Sequence, residues 1–276
     1  MKIGVDLGGT NVRAALVDGT TVIRKEKTPC PAKDTQEEVI EAIAALIEPL
    51  VCEEVTSVGM GVPSVVDTTR GIVYNVANIP SWQEVHLKDI FEERFGIPVH
   101  INNDANCLAL GEKYFGNAKD FENIAGITLD TGLGVGIIIN GKLYSGRNAG
   151  AGEFCSIPYR EHDYEYYCST QYFERKYDLK HEVLLARARK NDKIALALYE
   201  MFGTDLGNAI KTIMYALDPD AIVIGGQISE AYEFFKEAMF KTVNTFIYKD
   251  TVQSIKIFQS TEPYISVYGA AALCLE

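Results

Sequence analysis

No apolar run in this 276-residue chain approaches the roughly 20 residues that a bilayer-spanning helix needs, so membrane-spanning helices are excluded. The chain runs from Met1-Lys2 straight into a strand-like segment, without the apolar region of a secretory signal. A cytoplasmic location is expected. No Cys-x-x-Cys pair occurs among the six cysteines (30, 52, 107, 155, 168, 274), and their scatter points to reduced thiols rather than a disulfide framework. A Lys/Arg-rich run is missing too: 26 basic side chains face 38 acidic ones, a net charge of −12. That leaves no electrostatic footprint for nucleic acid. An anionic ligand must therefore be held locally, by backbone N–H groups, a metal ion or a few placed side chains.

What is present is the composition of a globular protein, 47% hydrophobic and 23% charged, with length enough for two domains. Residues 1–28 read as three strands, KIGVDL, NVRAALV and VIRKEKT, with Gly8-Gly9 at the first turn and a hairpin Asp18-Gly19 at the second. A helix follows, its start marked by Asp34 and Glu37 in capping-box spacing and its body by Val39, Ile40, Ile43, Leu46, Ile47 and Leu50 at helical period. VTSVGMG (55–61) reads as a buried strand, 71–82 as a loop, LKDIFEERF as a helix stopped by Gly96, and IPVHIN as a strand. Asp104 stands where the helix DANCLALGEKYF begins. The second half restarts the pattern: strands over 122–139 with an Asn140-Gly141 hairpin, a long helical tract over 191–217, and the buried strand AIVIGG at 221–226. Ser229 is expected to cap the helix after that strand. The order of elements predicts two related α/β lobes: 1–107, onto which the C-terminal helix of about 266–276 packs back, and a larger second lobe, 108–265.

Three glycine turns stand at strand ends, where ligands of α/β sheets collect. The first is VDLGGTNVR (5–13), the second TLDTGLGVGI (128–137), the third Gly225-Gly226. Glycine there lets backbone N–H groups converge on phosphate. Asp6 then requires a cation, Mg²⁺ with its waters, between two negative groups. An isolated Gly-Gly is more often simply a tight turn; two turns that each carry an acid and a threonine favour a nucleotide. Asp104 has two readings, a helix N-cap and a general base.

DLGGTNVR, INNDAN, TLDTGLGVG and IVIGGQIS together resemble the ROK family of bacterial sugar kinases, over about residues 2–274. The resemblance implies an α/β fold of two ribonuclease H-like lobes, as in the actin/hexokinase/Hsp70-like ATPases. It implies an ATP site at Asp6, Gly8, Gly9, Thr10, Asn11, Thr131, Gly132, Gly134, Gly225 and Gly226, with Asp6 on Mg²⁺ through water. Asp104 becomes the base that takes a proton from a sugar hydroxyl during phosphoryl transfer. Asn78, Asn103, Asp104 and Glu153 become sugar contacts. Homodimers are common among similar proteins and one is expected here.

The pattern breaks after Glu153. The family continues to a His and a cysteine knuckle that hold a structural zinc; here the text is GEFCSIPYREHDYEYYCSTQYFERKY, with Ser156 at the His position. Cys155, His162, Cys168 and His181 fit no standard ligand spacing, so no structural zinc is expected. Packing among Tyr159, Tyr164, Tyr166, Tyr167, Tyr172, Phe173 and Tyr177 is expected in its place. Ser156 and Gln171 are assigned to the sugar side, Gln171 for the family's second sugar-contacting Glu. The expected activity is ATP-dependent phosphorylation of a hexose, glucokinase-like at the 6-hydroxyl. N-acetylmannosamine, fructose, allose or a β-glucoside are alternative substrates. The alternative class is a sugar-binding or regulatory relative without catalysis. Repressors of the family carry a helix-turn-helix ahead of the first phosphate motif, which here begins within six residues of Met1, so operator binding is not expected.

Overall fold

The computed structural model describes residues 1–147 and 149–276. The elements through the first half are β1 (Lys2–Leu7), β2 (Asn11–Asp18), β3 (Thr21–Pro29), α1 (Gln36–Ile47), β4 (Ser57–Val62), β5 (Val65–Asp67), β6 (Ile72–Tyr74), β7 (Glu84–Val85), α2 (Leu87–Phe95), β8 (Val99–Asn103) and α3 (Asp104–Tyr114). There follow β9 (Ile124–Leu129), β10 (Leu133–Ile139), β11 (Lys142–Leu143), β12 (Pro158–Tyr159), β13 (His162–Asp163), α4 (Tyr164–Tyr167), α5 (Thr170–Tyr177), α6 (His181–Ala188), α7 (Lys193–Leu217), β14 (Ala221–Gly225), α8 (Tyr232–Val243), α9 (Lys249–Ser254), β15 (Lys256–Gln259) and α10 (Ile265–Ala272). The chain divides into two compact units, one of Met1–Asp120, Gly136–Ala151 and Glu262–Glu276, the other of Phe121–Val135 and Gly152–Thr261.

Two five-stranded sheets share one strand order, β3-β2-β1-β4-β8 and β11-β10-β9-β14-β15. In the first, β1 pairs antiparallel with β2 and parallel with β4, which pairs parallel with β8. Central parallel strands are covered on both faces and need not alternate, which is why every residue of β4, SVGMGV, is buried. At the edge, β3 carries Arg24, Lys25, Glu26 and Lys27 and is mostly exposed or half-buried, a charged margin that discourages pairing with another chain.

One apolar cluster of the first unit joins β1, β2 and β4 with α1 and α2; a second joins Ala15 and Val17 to Leu108 and α10. α10 sits unusually close: a methyl group at Gly59 would lie 1.8 Å from the Ala270 carbonyl oxygen, and one at Gly269 would lie 1.7 Å from that of Cys107. This packing keeps α3 with the first unit, which runs on to Asp120 rather than ending near 107. Three local expectations shift. The capping box is Thr35 with Glu38, not Asp34 with Glu37: Glu38 N donates to Thr35 Oγ1 at 3.3 Å and Thr35 N to Glu38 Oε2 at 2.9 Å. Residues 71–82, expected as loop, contain β6, part of a three-stranded β5-β6-β7 sheet. Ser229 does not cap α8, whose N-cap is Ala231; its hydroxyl donates to Gly226 O at 2.6 Å.

In the second unit β14 pairs parallel with β9 and with β15, and α7 runs 25 residues to Asp218, a left-handed C-cap ahead of Pro219. The tyrosine-rich segment forms a continuous aromatic cluster. Tyr159 stacks on Tyr164 at 4.6 Å, Tyr167 and Tyr172 lie 5.6 Å apart, and Phe173 reaches Tyr199 and Phe202 on α7. Tyr159 and Arg160 both end on Asp205, buried in α7, at 3.0 and 2.6 Å. Aromatic and ion-pair contacts thus order the stretch where the family's knuckle stands. Among the described residues, no group of three or more His, Cys, Asp or Glu is placed to hold a metal. His162 stacks on Tyr166, Cys168 is enclosed, and His181 pairs with Tyr199.

Candidate active site

In the first unit, Asp6, the penultimate residue of β1, lies beside Gly61 of β4, its register partner. An added methyl at Gly61 would lie 3.0 Å from Cys107 Sγ and 3.7 Å from Asp104 Cα, so Asp6 and Asp104 stand at the same end of the sheet. The Cys107 thiol reports both: burial pushes its pKa well up, and the carboxylates of Asp6 and Asp104 push it further. The first glycine turn closes on itself through Gly8 N to Asn11 O at 3.0 Å, and Cys30 N donates to Thr10 O at 2.9 Å. Asn78 abuts this turn, its Cβ 2.9 Å from where a Gly9 side chain would begin.

Helix α3 starts from β8 with Asn103, not Asp104, as its N-cap: Asn103 Oδ1 accepts from Ala105 N at 2.9 Å. Asp104 Oδ1 also accepts from Ala105 N, at 2.8 Å. Asn103 Nδ2 donates to Ser64 O at 3.3 Å, and Asn102 Oδ1 accepts from Asn106 Nδ2 at 2.9 Å. The run of asparagines thereby orders the strand-to-helix corner and takes the capping duty from the aspartate.

In the second unit the other two glycine turns are joined. Asp130 Oδ1 accepts from Gln227 N at 2.7 Å, and Asp130 N donates to Gly132 O at 3.0 Å. The aspartate of the Asp-Thr-Gly turn is therefore a brace for the Gly225-Gly226 turn. Gly226 has φ +86 and presses against the Leu129 backbone, where any side chain would collide at 2.5 Å, so glycine is required there. Thr131 is exposed, and Gly132 and Gly134 are half-buried.

Glu153 follows Gly152, whose φ of +100 and contact with Val135 O again demand glycine. The Glu153 carboxylate accepts from Cys155 Sγ at 3.2 Å, and Ser156 Oγ lies 3.6 Å from the same sulfur. Gln171 is the second residue of α5, where its Oε1 accepts from Arg175 Nη2. Sequence reasoning passed over Glu165. Its Oε2 accepts from Leu133 N at 3.2 Å, would touch a side chain at Gly132 at 2.4 Å, and acts electrostatically on Cys155. The signal was a first-turn acid in α4 behind the Asp163 cap, hidden in a tyrosine-rich run. Asp6, beside the first glycine turn, offers the carboxylate oxygens through which a hydrated Mg²⁺ could be held by its waters.

Residues 2–276 match the ROK family. A glucokinase of Thermotoga maritima is 31% identical over 99% of this chain and 97% of its own length. The xylose repressor of Bacillus subtilis is 28% identical over 94% of this chain and 73% of its own length. Among solved structures, a ROK family glucokinase from Streptomyces griseus, determined in complex with glucose and AMPPNP, superposes with a TM-score of 0.85 at 28% identity, covering 99% and 98% of the two chains. The shared strand order of the two sheets and this superposition show the actin/hexokinase-like ATPase fold. The chain belongs to the ROK family.

Proposed function

We propose that this protein is an ATP-dependent hexose kinase in which Asp104 is the general base. Family membership and full-length similarity to a glucokinase carry the class, an ATP-dependent sugar kinase. The observation that carries the role of Asp104 is that Asn103 caps α3, so an aspartate is not needed there as a cap. In this reading Asp104 takes the proton of a sugar hydroxyl, the 6-hydroxyl in the glucokinase-like case, while that oxygen bonds to the γ-phosphorus and the bond to the ADP oxygen breaks. Gly8, Gly9, Thr10 and Asn11 offer backbone and hydroxyl donors to phosphate, as do Thr131, Gly132 and Gly134, with Gly225 and Gly226 on the nucleoside side. Mg²⁺, held through water by Asp6, would supply charge neutralisation between that carboxylate and the phosphates.

Asn78, Asn103, Glu153 and Ser156 are the proposed sugar contacts. Glu165 takes the second carboxylate role in place of Gln171, because Gln171 is engaged by Arg175 whereas Glu165 stands at the second glycine turn. A hydroxyl-rich ligand needs such planar acceptors and donors, and a site built for hydrogen bonds rejects analogues lacking them. The working form is a cytoplasmic homodimer, which light scattering at assay concentration checks. An ADP-release assay over glucose, mannose, fructose, allose, N-acetylmannosamine and a β-glucoside tests the activity; no turnover with any of them would refute it.

The similarity to a xylose repressor favours one competing reading, a sugar-responsive regulator. A salt-dependent gel shift with DNA would support it. Its absence, together with ADP release, leaves the kinase.

A further inference from the structure

Glu153 is exposed, and a long carboxylate side chain in water samples several rotamers. Its carboxylate accepts from the thiol of Cys155, which is 8% exposed and whose sulfur lies 3.2 Å from Glu153 Oε2. The short turn enforces the approach: Gly152 is left-handed, Phe154 N donates to Gly152 O at 2.6 Å, and Ser156 N donates to Glu153 O at 3.3 Å. On its other side the sulfur lies 3.6 Å from Ser156 Oγ. Once the S–H proton points at Glu153, the serine hydroxyl can donate to sulfur, and Ser156, Cys155 and Glu153 form one directed chain.

We propose that Cys155 is a positioning residue for sugar binding, its S–H holding the Glu153 carboxylate so that the other oxygen, Oε1, meets a sugar hydroxyl. The inference rests on the reading of Glu153 as a sugar contact. A second observation supports a donor rather than a thiolate. Burial pushes the Cys155 pKa up to about 12; the Ser156 hydroxyl opposes this, while the carboxylates of Glu153 and Glu165 add to it, so the proton stays on sulfur throughout the working range of a kinase. The thiol is thereby a poor nucleophile and a constant donor. Preorganising an exposed acceptor before the ligand arrives removes an ordering cost from binding, and the benefit appears in KM for the sugar.

The test compares Cys155→Ala, Cys155→Ser and Glu153→Gln in ADP-release kinetics, with D-glucose or whichever hexose of the panel turns over fastest. Losing a hydrogen bond to a charged group is expected to raise the sugar KM of Cys155→Ala about ten-fold, with kcat and the KM for ATP within about two-fold of the parent. Cys155→Ser, which restores an O–H donor, should return the sugar KM to within about three-fold of the parent. An unchanged sugar KM in Cys155→Ala, beside a raised one in Glu153→Gln, overturns the inference and leaves the reading of Glu153 standing. If Glu153→Gln itself leaves the sugar KM unchanged, that reading falls and the inference with it. A parallel rise in KM for sugar and ATP in both cysteine variants, with a lowered melting temperature, also overturns it, because that is the signature of lost packing.

Discussion

The carboxylates at Asp6 and Asp104 converge on one buried thiol, Cys107, yet they are assigned different work, and substitution separates the two. Asp104→Asn keeps the size and the contact with Ala105 N but cannot accept a proton, so kcat should fall by about 10²–10⁴ with the KM for ATP little changed. Retention of full rate in stopped-time ADP assays would end its assignment as base. The side chains of Glu165 and Gln171 give a second contrast. Glu165→Gln should raise the sugar KM about ten-fold through loss of a charge-assisted acceptor, whereas Gln171→Ala should move it by less than about three-fold, since its amide oxygen is already engaged by Arg175. The reverse order would return the role to Gln171. Residue type and spacing marked Asp6, Asp104 and the glycines. They did not mark Glu165, because its value lies in reaching Leu133 N, 32 positions away in the chain, and no local pattern encodes such a contact.

Elements meet their limits at close approaches and buried charges. Because α10 rests on β4 with no room for a methyl group at Gly59, Gly59→Ala should destabilise the fold by about 4 kcal/mol or more, read from urea unfolding. Helix α7 anchors the β12–β13 turn through Asp205, whose pKa is raised by burial, with Tyr159 and Arg160 opposing. The native state therefore holds this proton more tightly than the unfolded chain does. Its contribution is fully present below the ordinary aspartate range and is lost as pH rises through the raised value. Unfolding of the parent and of Asp205→Asn, compared from acid to neutral pH, should show the parent's advantage shrinking as pH rises. A growing advantage would contradict the direction of the shift. Element boundaries were legible where chemistry is local, as at the Asp18-Gly19 turn and the left-handed Gly96 cap. Thr35 displaced Asp34 as a cap because two adjacent residues offer equivalent oxygens, and the two- and three-residue strands β5–β7 are too short to show a period.

For the whole molecule, ligands that bind only the folded form raise stability by mass action. A non-hydrolysable ATP analogue with Mg²⁺, and separately the preferred hexose, should each raise the melting temperature in a concentration-dependent way. No shift with nucleotide at any concentration would argue against the ATP assignment. The sequence by itself determined the α/β class, the repeated succession of elements along the chain, the three glycine turns and the acids beside two of them, because periodicity and the backbone freedom of glycine are properties of neighbouring residues. Only the tertiary structure decided that Asn103 rather than Asp104 caps α3, that Asp130 braces the third turn, and that Glu153, Cys155 and Glu165 share one corner. It also decided that aromatic rings and Asp205 order the segment where the family's knuckle stands. Each of these depends on which distant side chains compete for the same polar atom, a choice made by packing in space and not by order along the chain.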